Sequence, residues 1–206
     1  MTERIPSATV ARLPRYLRCL SDMAESASTC SSEELADVAG VNAAQVRKDL
    51  SYLGSHGTRG VGYDIDELRS QIRKALGMLS NHAVVIIGAG NLGTALANYR
   101  GFENWGFEIE AIVEVDEDKI GTKVDDIVIE SLHRLKDIVE AKQIKIGIIA
   151  TPPAAAQAVA DRLVDAGVKS ILNLAPTTVK TGDDVSVRRV DLSTELGILA
   201  YHLNRP

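Results

Sequence analysis

The chain has 206 residues, 45% of them hydrophobic and 25% charged, and a formal net charge of −5. That length holds one large domain or two small ones, and the composition is that of an ordinary globular protein rather than a fibrous or unstructured one. No apolar run approaches the roughly 18 residues of a bilayer span, and Met1-Thr2-Glu3-Arg4-Ile5-Pro6 is not a signal peptide, so no membrane partner and a cytoplasmic location are expected. Cys19 and Cys30 lack CxxC spacing and read as small buried hydrophobes. His56, His82, His133 and His202 are scattered, so no metal is expected. The charge is uneven. Residues 1–63 carry seven basic and seven acidic side chains, and the acidic surplus belongs to the remainder. Within 42–63, Arg47, Lys48 and Arg59 oppose only Asp49.

Residues 8–26 have Val10, Leu13, Leu17 and Leu20 at helical spacing. Pro14 lies inside this pattern and should either kink the helix or mark its first turn. Ser31 opens a capping box with Glu34, which predicts a short helix stopping at Gly40. Asn42 starts another helix, running to about Leu53 and closed by Gly54. Two short helices joined by Ala39-Gly40-Val41-Asn42 make a helix-turn-helix pattern, with Val46 and Leu50 facing inward. The second helix carries Gln45, Arg47, Lys48, Ser51 and Tyr52. Gly54, Gly57, Gly60 and Gly62 then suit a tight hairpin with Arg59 at its tip, the wing of a winged helix. Asp64 and Glu67 cap a connector helix whose apolar stripe is Ile65, Leu68, Ile72 and Leu76.

From residue 83, strands (83–88, 108–115, 145–150, 169–174, 186–190) alternate with helices (91–100, 131–142, 153–166). Such alternation implies a mostly parallel, doubly wound sheet of the Rossmann type. The segment Leu192–Asn204 places Leu192, Leu196, Leu199 and Leu203 on one side. Coming after the last strand, so apolar a face should pack on something beyond its own sheet. The expected divisions are 1–80, 81–190 and 191–206.

Val84-Val85-Ile86-Ile87 feeds Gly88-Ala89-Gly90-Asn91-Leu92-Gly93, a G-x-G-x-x-G turn opening a helix. Its glycines permit the tight turn, the approach of backbone to a pyrophosphate, and close helix–strand packing. Glu114 closes the next strand 21 residues after Gly93, with Asp116 two further on. A carboxylate there hydrogen-bonds the adenine ribose and favours NAD(H) over NADP(H). The alternatives are an empty Rossmann-like turn or another nucleotide such as coenzyme A. Thr151-Pro152-Pro153 and Asn173-Leu174-Ala175-Pro176-Thr177 end two further strands, where they are either second-half cofactor contacts or ordinary turn chemistry.

Major-groove readout needs a helix presenting Arg, Lys, Gln or Asn, and an Arg-tipped hairpin suits a minor groove. The competing reading is helical packing with a solvated charge pair. No convincing His/Lys/Asp set follows residue 93, and the chain ends soon after one nucleotide fold, so no enzyme is expected. The rival class would be an NAD-dependent oxidoreductase with an accessory helical domain.

Four blocks carry a resemblance: Ala11-Arg12-Leu13-Pro14-Arg15-Tyr16-Leu17-Arg18; Gln45-Val46-Arg47-Lys48-Asp49-Leu50-Ser51-Tyr52-Leu53-Gly54 with Gly57-Thr58-Arg59-Gly60-Val61-Gly62-Tyr63; the glycine turn with Asn98-Tyr99-Arg100-Gly101-Phe102; and Ala150-Thr151-Pro152 with Ile171-Leu172-Asn173-Leu174-Ala175-Pro176. Over essentially its whole length the chain resembles the redox-sensing transcriptional repressors of the Rex family. The resemblance implies a homodimer on an inverted-repeat operator in double-stranded DNA. It also implies a C-terminal helix exchanged between subunits, and release of DNA when NADH replaces NAD⁺ and closes the dimer. By the same resemblance Arg47 and Lys48 meet the major groove and Arg59 is the wing contact. Ser7, Arg12, Ser51, Tyr52, Gly57 and Thr58 fall in phosphate-contacting segments. Tyr99 and Leu192 flank the nicotinamide, and Arg18 and Asp191 form a coupling pair with Tyr99.

Overall fold

The computed structural model describes residues 5–203, so the ends of the first and last expected segments lie outside it. The chain divides into two compact units, the first reaching Ser80 and the second beginning at Asn81.

In the first unit, α1 (Ser7–Met23) starts directly after Pro6, so Pro14 sits within the helix rather than at its start. It buries Leu13, Tyr16, Leu17 and Leu20. Helix α2 (Ser32–Ala39) opens on the expected box: Ser31 accepts from the Glu34 N–H while Glu34 accepts from the Ser31 N–H. It ends at Gly40, whose φ of 60° is the left-handed turn that glycine adopts without strain. Helix α3 (Ala43–Ser51) is capped by Asn42, whose side chain accepts from the Gln45 N–H at 2.8 Å. Val46 and Leu50 are fully buried. The hairpin is small. Thr58 and Gly62 form a single antiparallel bridge, leaving Arg59 at its tip. Two short strands, β1 (Thr29–Cys30) and β2 (Tyr63–Asp64), pair antiparallel, and α4 (Ile65–Ala75) follows with Asp64 as cap.

The second unit holds a seven-stranded sheet. Its strands are β3 (His82–Ile87), β4 (Phe107–Glu114), β5 (Lys123–Val124), β6 (Ile127–Ser131), β7 (Ile146–Ile149), β8 (Ser170–Asn173) and β9 (Ser186–Arg189). The order is β5-β6-β4-β3-β7-β8-β9, parallel except for β5 against β6. Strands β5 and β6 are additions to the five expected. Side chains alternate across β3. Val85 and Ile87 join the core under α6 (Leu135–Ala141) and α7 (Pro153–Asp165), while Val84 and Ile86 face the side of α5 (Asn91–Ala97). Helix α5 stops three residues short of the expected 100, and a 3₁₀ turn (Arg100–Trp105) follows. The strand order reverses at β3, so a crevice opens at the carboxyl ends of β3, β4 and β7. Helix α8 (Leu192–Leu203) buries none of its residues.

Candidate nucleotide and nucleic-acid sites

That crevice is a cavity of about 480 Å³. It is lined by Gly88, Gly90, Glu114, Asp116, Thr151 and Pro152 of the expected set, which come from three strand ends. The glycines fit the space they face. Gly88 has φ 104°, and a Cβ there would lie 2.7 Å from the Ala150 carbonyl oxygen. A Cβ on Gly93 would lie 1.9 Å from the Gly88 carbonyl oxygen, so the helix can approach the turn only without a side chain. A Cβ on Gly90 would meet nothing, because this residue faces open space in the cavity.

Two polar features suit a nucleotide. The Thr151 hydroxyl oxygen is buried with no hydrogen-bond partner among the described residues, which is costly unless a ligand or water completes it. Glu114 accepts from the Ala89 N–H at 2.8 Å and from the Val115 N–H at 2.6 Å, so the acid also braces the glycine turn. Asp116 pairs with Lys119 at 3.3 Å. Sequence reasoning missed Lys119, Leu132, Val159 and Arg162 on the same wall. Ala155, Val159 and Arg162 recur at helical spacing after Pro152-Pro153, which was the available signal.

Other expected residues lie elsewhere. Buried Asn173 donates to the Thr177 carbonyl and accepts from the Ala175 N–H, bonds that hold the turn after β8. Ala175, Pro176, Asn91 and Leu92 do not line the cavity. Tyr99 is exposed and packs edge-on to Phe102 at 5.1 Å. Leu192 is exposed at the start of α8. Asp191 accepts from Arg189 at 2.6 Å.

In the first unit Lys48, Ser51, Gly57, Thr58 and Arg59 are all exposed, Tyr52 is half-buried, and Ser7 begins α1. Arg47 donates to Ser32 at 2.8 Å and to Glu33 at 2.9 Å, an exposed pair worth little in water. Arg12 grips Asp49 through two donors, which removes Asp49 from the count of surface charges around Arg47 and Lys48. Cys19 and Cys30 are buried, and burial pushes the Cys30 thiol up to about 11, which disfavours the reactive thiolate.

The comparisons agree with this division. Residues 80–177 match a CoA binding domain model, and residues 4–51 match a model of a putative DNA-binding protein N-terminus. The chain is 55% identical to the redox-sensing transcriptional repressor Rex of Streptomyces avermitilis, over 98% of this chain and 80% of that protein. It is 46% identical to the Rex of Carboxydothermus hydrogenoformans, over 98% of both. The chain belongs to the Rex family. It is therefore a redox-sensing transcriptional repressor by family and not an enzyme, the reading expected from the missing catalytic set. Among solved Rex-family structures, that of RSP with β-NAD⁺ and operator DNA superposes with a TM-score of 0.91 at 39% identity, covering 98% of this chain and 94% of that one. RSP with β-NADH gives 0.89 at 38%, covering 98% and 95%.

Proposed function

We propose that this chain acts in the cytoplasm as a homodimeric repressor that holds an inverted-repeat operator with its helical units and lets go when NADH occupies its sheet units. The observation that carries the reading is the cavity at the strand ends, where a glycine turn, a carboxylate pair and the orphaned Thr151 hydroxyl converge. Gly88, Ala89, Gly90 and Gly93 would take the pyrophosphate, Glu114 and Asp116 the ribose hydroxyls, and Thr151 and Pro152 the second half of the dinucleotide.

Dimer formation is supported by apolar surface that one chain leaves uncovered. Helix α8 exposes Leu192, Leu196, Ile198, Leu199, Tyr201 and Leu203, and the α5 face of the sheet leaves Ile146, Leu172 and Leu174 only partly buried. A patch of this kind marks a partner surface. The exchange of α8 between subunits, the place of Tyr99 and Leu192 beside the nicotinamide, and the coupling of Arg18 with Asp191 all belong to this proposal. Arg47 and Lys48 would read the major groove and Arg59 the minor groove, with Ser7, Ser51, Tyr52, Gly57 and Thr58 at phosphates.

The reduced nicotinamide lacks the fixed positive charge of the oxidised one, so an apolar pocket favours it. The shift between DNA-holding and DNA-releasing states can be no larger than that differential affinity. A coupling of roughly 1–3 kcal/mol would change operator affinity about 5–150-fold. The test is a titration of an inverted-repeat Rex operator duplex with the protein, varying NADH at fixed NAD⁺. NADH should release the duplex from a dimer. A monomer that binds equally well under both nucleotides would refute the reading.

A further inference from the structure

Asp49 lies in the last turn of the proposed recognition helix, two residues from Arg47, and is completely buried. A buried carboxylate is tolerated only where partners replace its water. Here five hydrogen bonds reach its two oxygens. On α1, Thr9, Arg12 and Tyr16 share one helical face, and all three donate to Asp49. The Thr9 hydroxyl donates at 2.9 Å, Arg12 at 2.6 Å through Nε and 2.8 Å through Nη2, and the Tyr16 hydroxyl at 2.8 Å. Gln45, one turn earlier on α3, donates at 2.9 Å.

The geometry of the arginine matters most. Its Nε/Nη2 edge is held against Asp49, and Nη1 takes no part in that grip. The Arg12 side chain keeps 27% of its surface exposed while that of Asp49 keeps none. A guanidinium is rigid and planar, so fixing one edge fixes the direction of the other. No lysine can do this, because a single ammonium cannot both bind the carboxylate with a fork and present a directed donor beyond it.

We propose that Asp49 is a positioning residue for operator binding: it ties α3 to α1 and turns the free edge of Arg12 outward as a fixed donor to a backbone phosphate. The inference rests on the DNA-binding reading of the helical unit. It gives Arg12 an unusual signature, because Asp49 balances its charge. The contact acts as a directed hydrogen bond and adds little counterion release.

The experiment measures binding of the full-length protein to an operator duplex and to a random duplex across a salt series, with NADH affinity as control. Arg12→Lys keeps the ion pair but loses the outward donor. It should weaken both duplexes alike, by roughly tenfold, with the salt slope unchanged. Asp49→Asn unmasks the arginine charge, so the log–log salt slope should steepen by about one while preference for the operator falls. If Asp49→Asn does not fold, Arg12→Lys decides alone. Wild-type affinity for both duplexes in Arg12→Lys, or a loss confined to the operator, overturns the proposal, because Arg12 would then only brace the helix. Failure of the unaltered protein to bind either duplex would instead sink the DNA-binding reading itself.

Discussion

At the join of α1 and α3 in the helical unit, a fully buried carboxylate has five donors around it. At the centre of the sheet unit the enclosed groups are Val85, Ile86, Ile87, Ile112 and Val113, with no charge among them. A buried polar cluster fixes direction, because each hydrogen bond has one good geometry. An apolar sheet fixes volume, because close packing leaves little room for an added atom. The helical unit should therefore be sensitive to pH and charge, and the sheet unit to the size of its small residues.

The largest expected effect tests the sheet unit. Gly93→Ala places a methyl against the Gly88 carbonyl oxygen, which can retreat only if the glycine turn moves. Overpacking of this kind costs roughly 1–3 kcal/mol, so NADH affinity should fall by up to about 100-fold. Nucleotide fluorescence titration measures it, and operator binding without nucleotide should persist. A wild-type titration would mean that the turn is not the seat of the dinucleotide.

Acid tests the helical unit next. Burial pushes the Asp49 carboxyl up, but the hydrogen bonds from Arg12, Tyr16, Thr9 and Gln45 outweigh it and hold the pKa at about 2, below the ordinary 3.8. The folded value is the lower one. Its contribution, roughly 2 kcal/mol, is therefore full above pH 3.8 and is lost as pH falls through about 2. Burial and the bond to Asp49 raise Tyr16 from 10.0 to about 12, so the same cluster loses stability as pH rises through that interval. Trp105, the one tryptophan, lies in the sheet unit. Far-ultraviolet circular dichroism should begin to fall before Trp105 fluorescence changes when the intact protein is acidified. Coincident transitions would show that the carboxylate does not set the weak point.

What the sequence disclosed follows from how far each signal reaches. The Ser31–Glu34 box spans four residues and the glycine turn six, and both were legible because their physics is local. The order of alternating strands gave the crevice, and with it Gly88, Glu114 and Thr151. Strand β6 escaped because its apolar run is only Ile127-Val128-Ile129, set between Asp125-Asp126 and Glu130-Ser131, and Ser131 also caps the turn that follows. The Asp49 cluster escaped for another reason. Its donors on α1 lie 33 to 40 positions away, so Asp49 read as a counter-charge in a basic patch. Asn173 looked available beside Pro176, yet only the folded loop reveals that both ends of its amide are used.

The smallest effect separates stability from charge at the start of the recognition helix. Asn42 accepts from the Gln45 N–H, and its removal in Asn42→Ala leaves that donor unmatched at a cost of about 1 kcal/mol. For a unit of this size that is a shift of roughly 4–8 °C in melting temperature, seen in circular dichroism but not in Trp105 fluorescence. Asn42→Asp keeps the acceptor and adds a negative charge that suits a helix start, so melting should hold or rise slightly. The same charge faces whatever α3 meets. If α3 lies in the groove of an operator, Asn42→Asp should bind DNA more weakly than Asn42→Ala although it is the more stable protein. If affinity instead follows stability across the two variants, the beginning of α3 is remote from phosphate, and the helical unit meets DNA through another face.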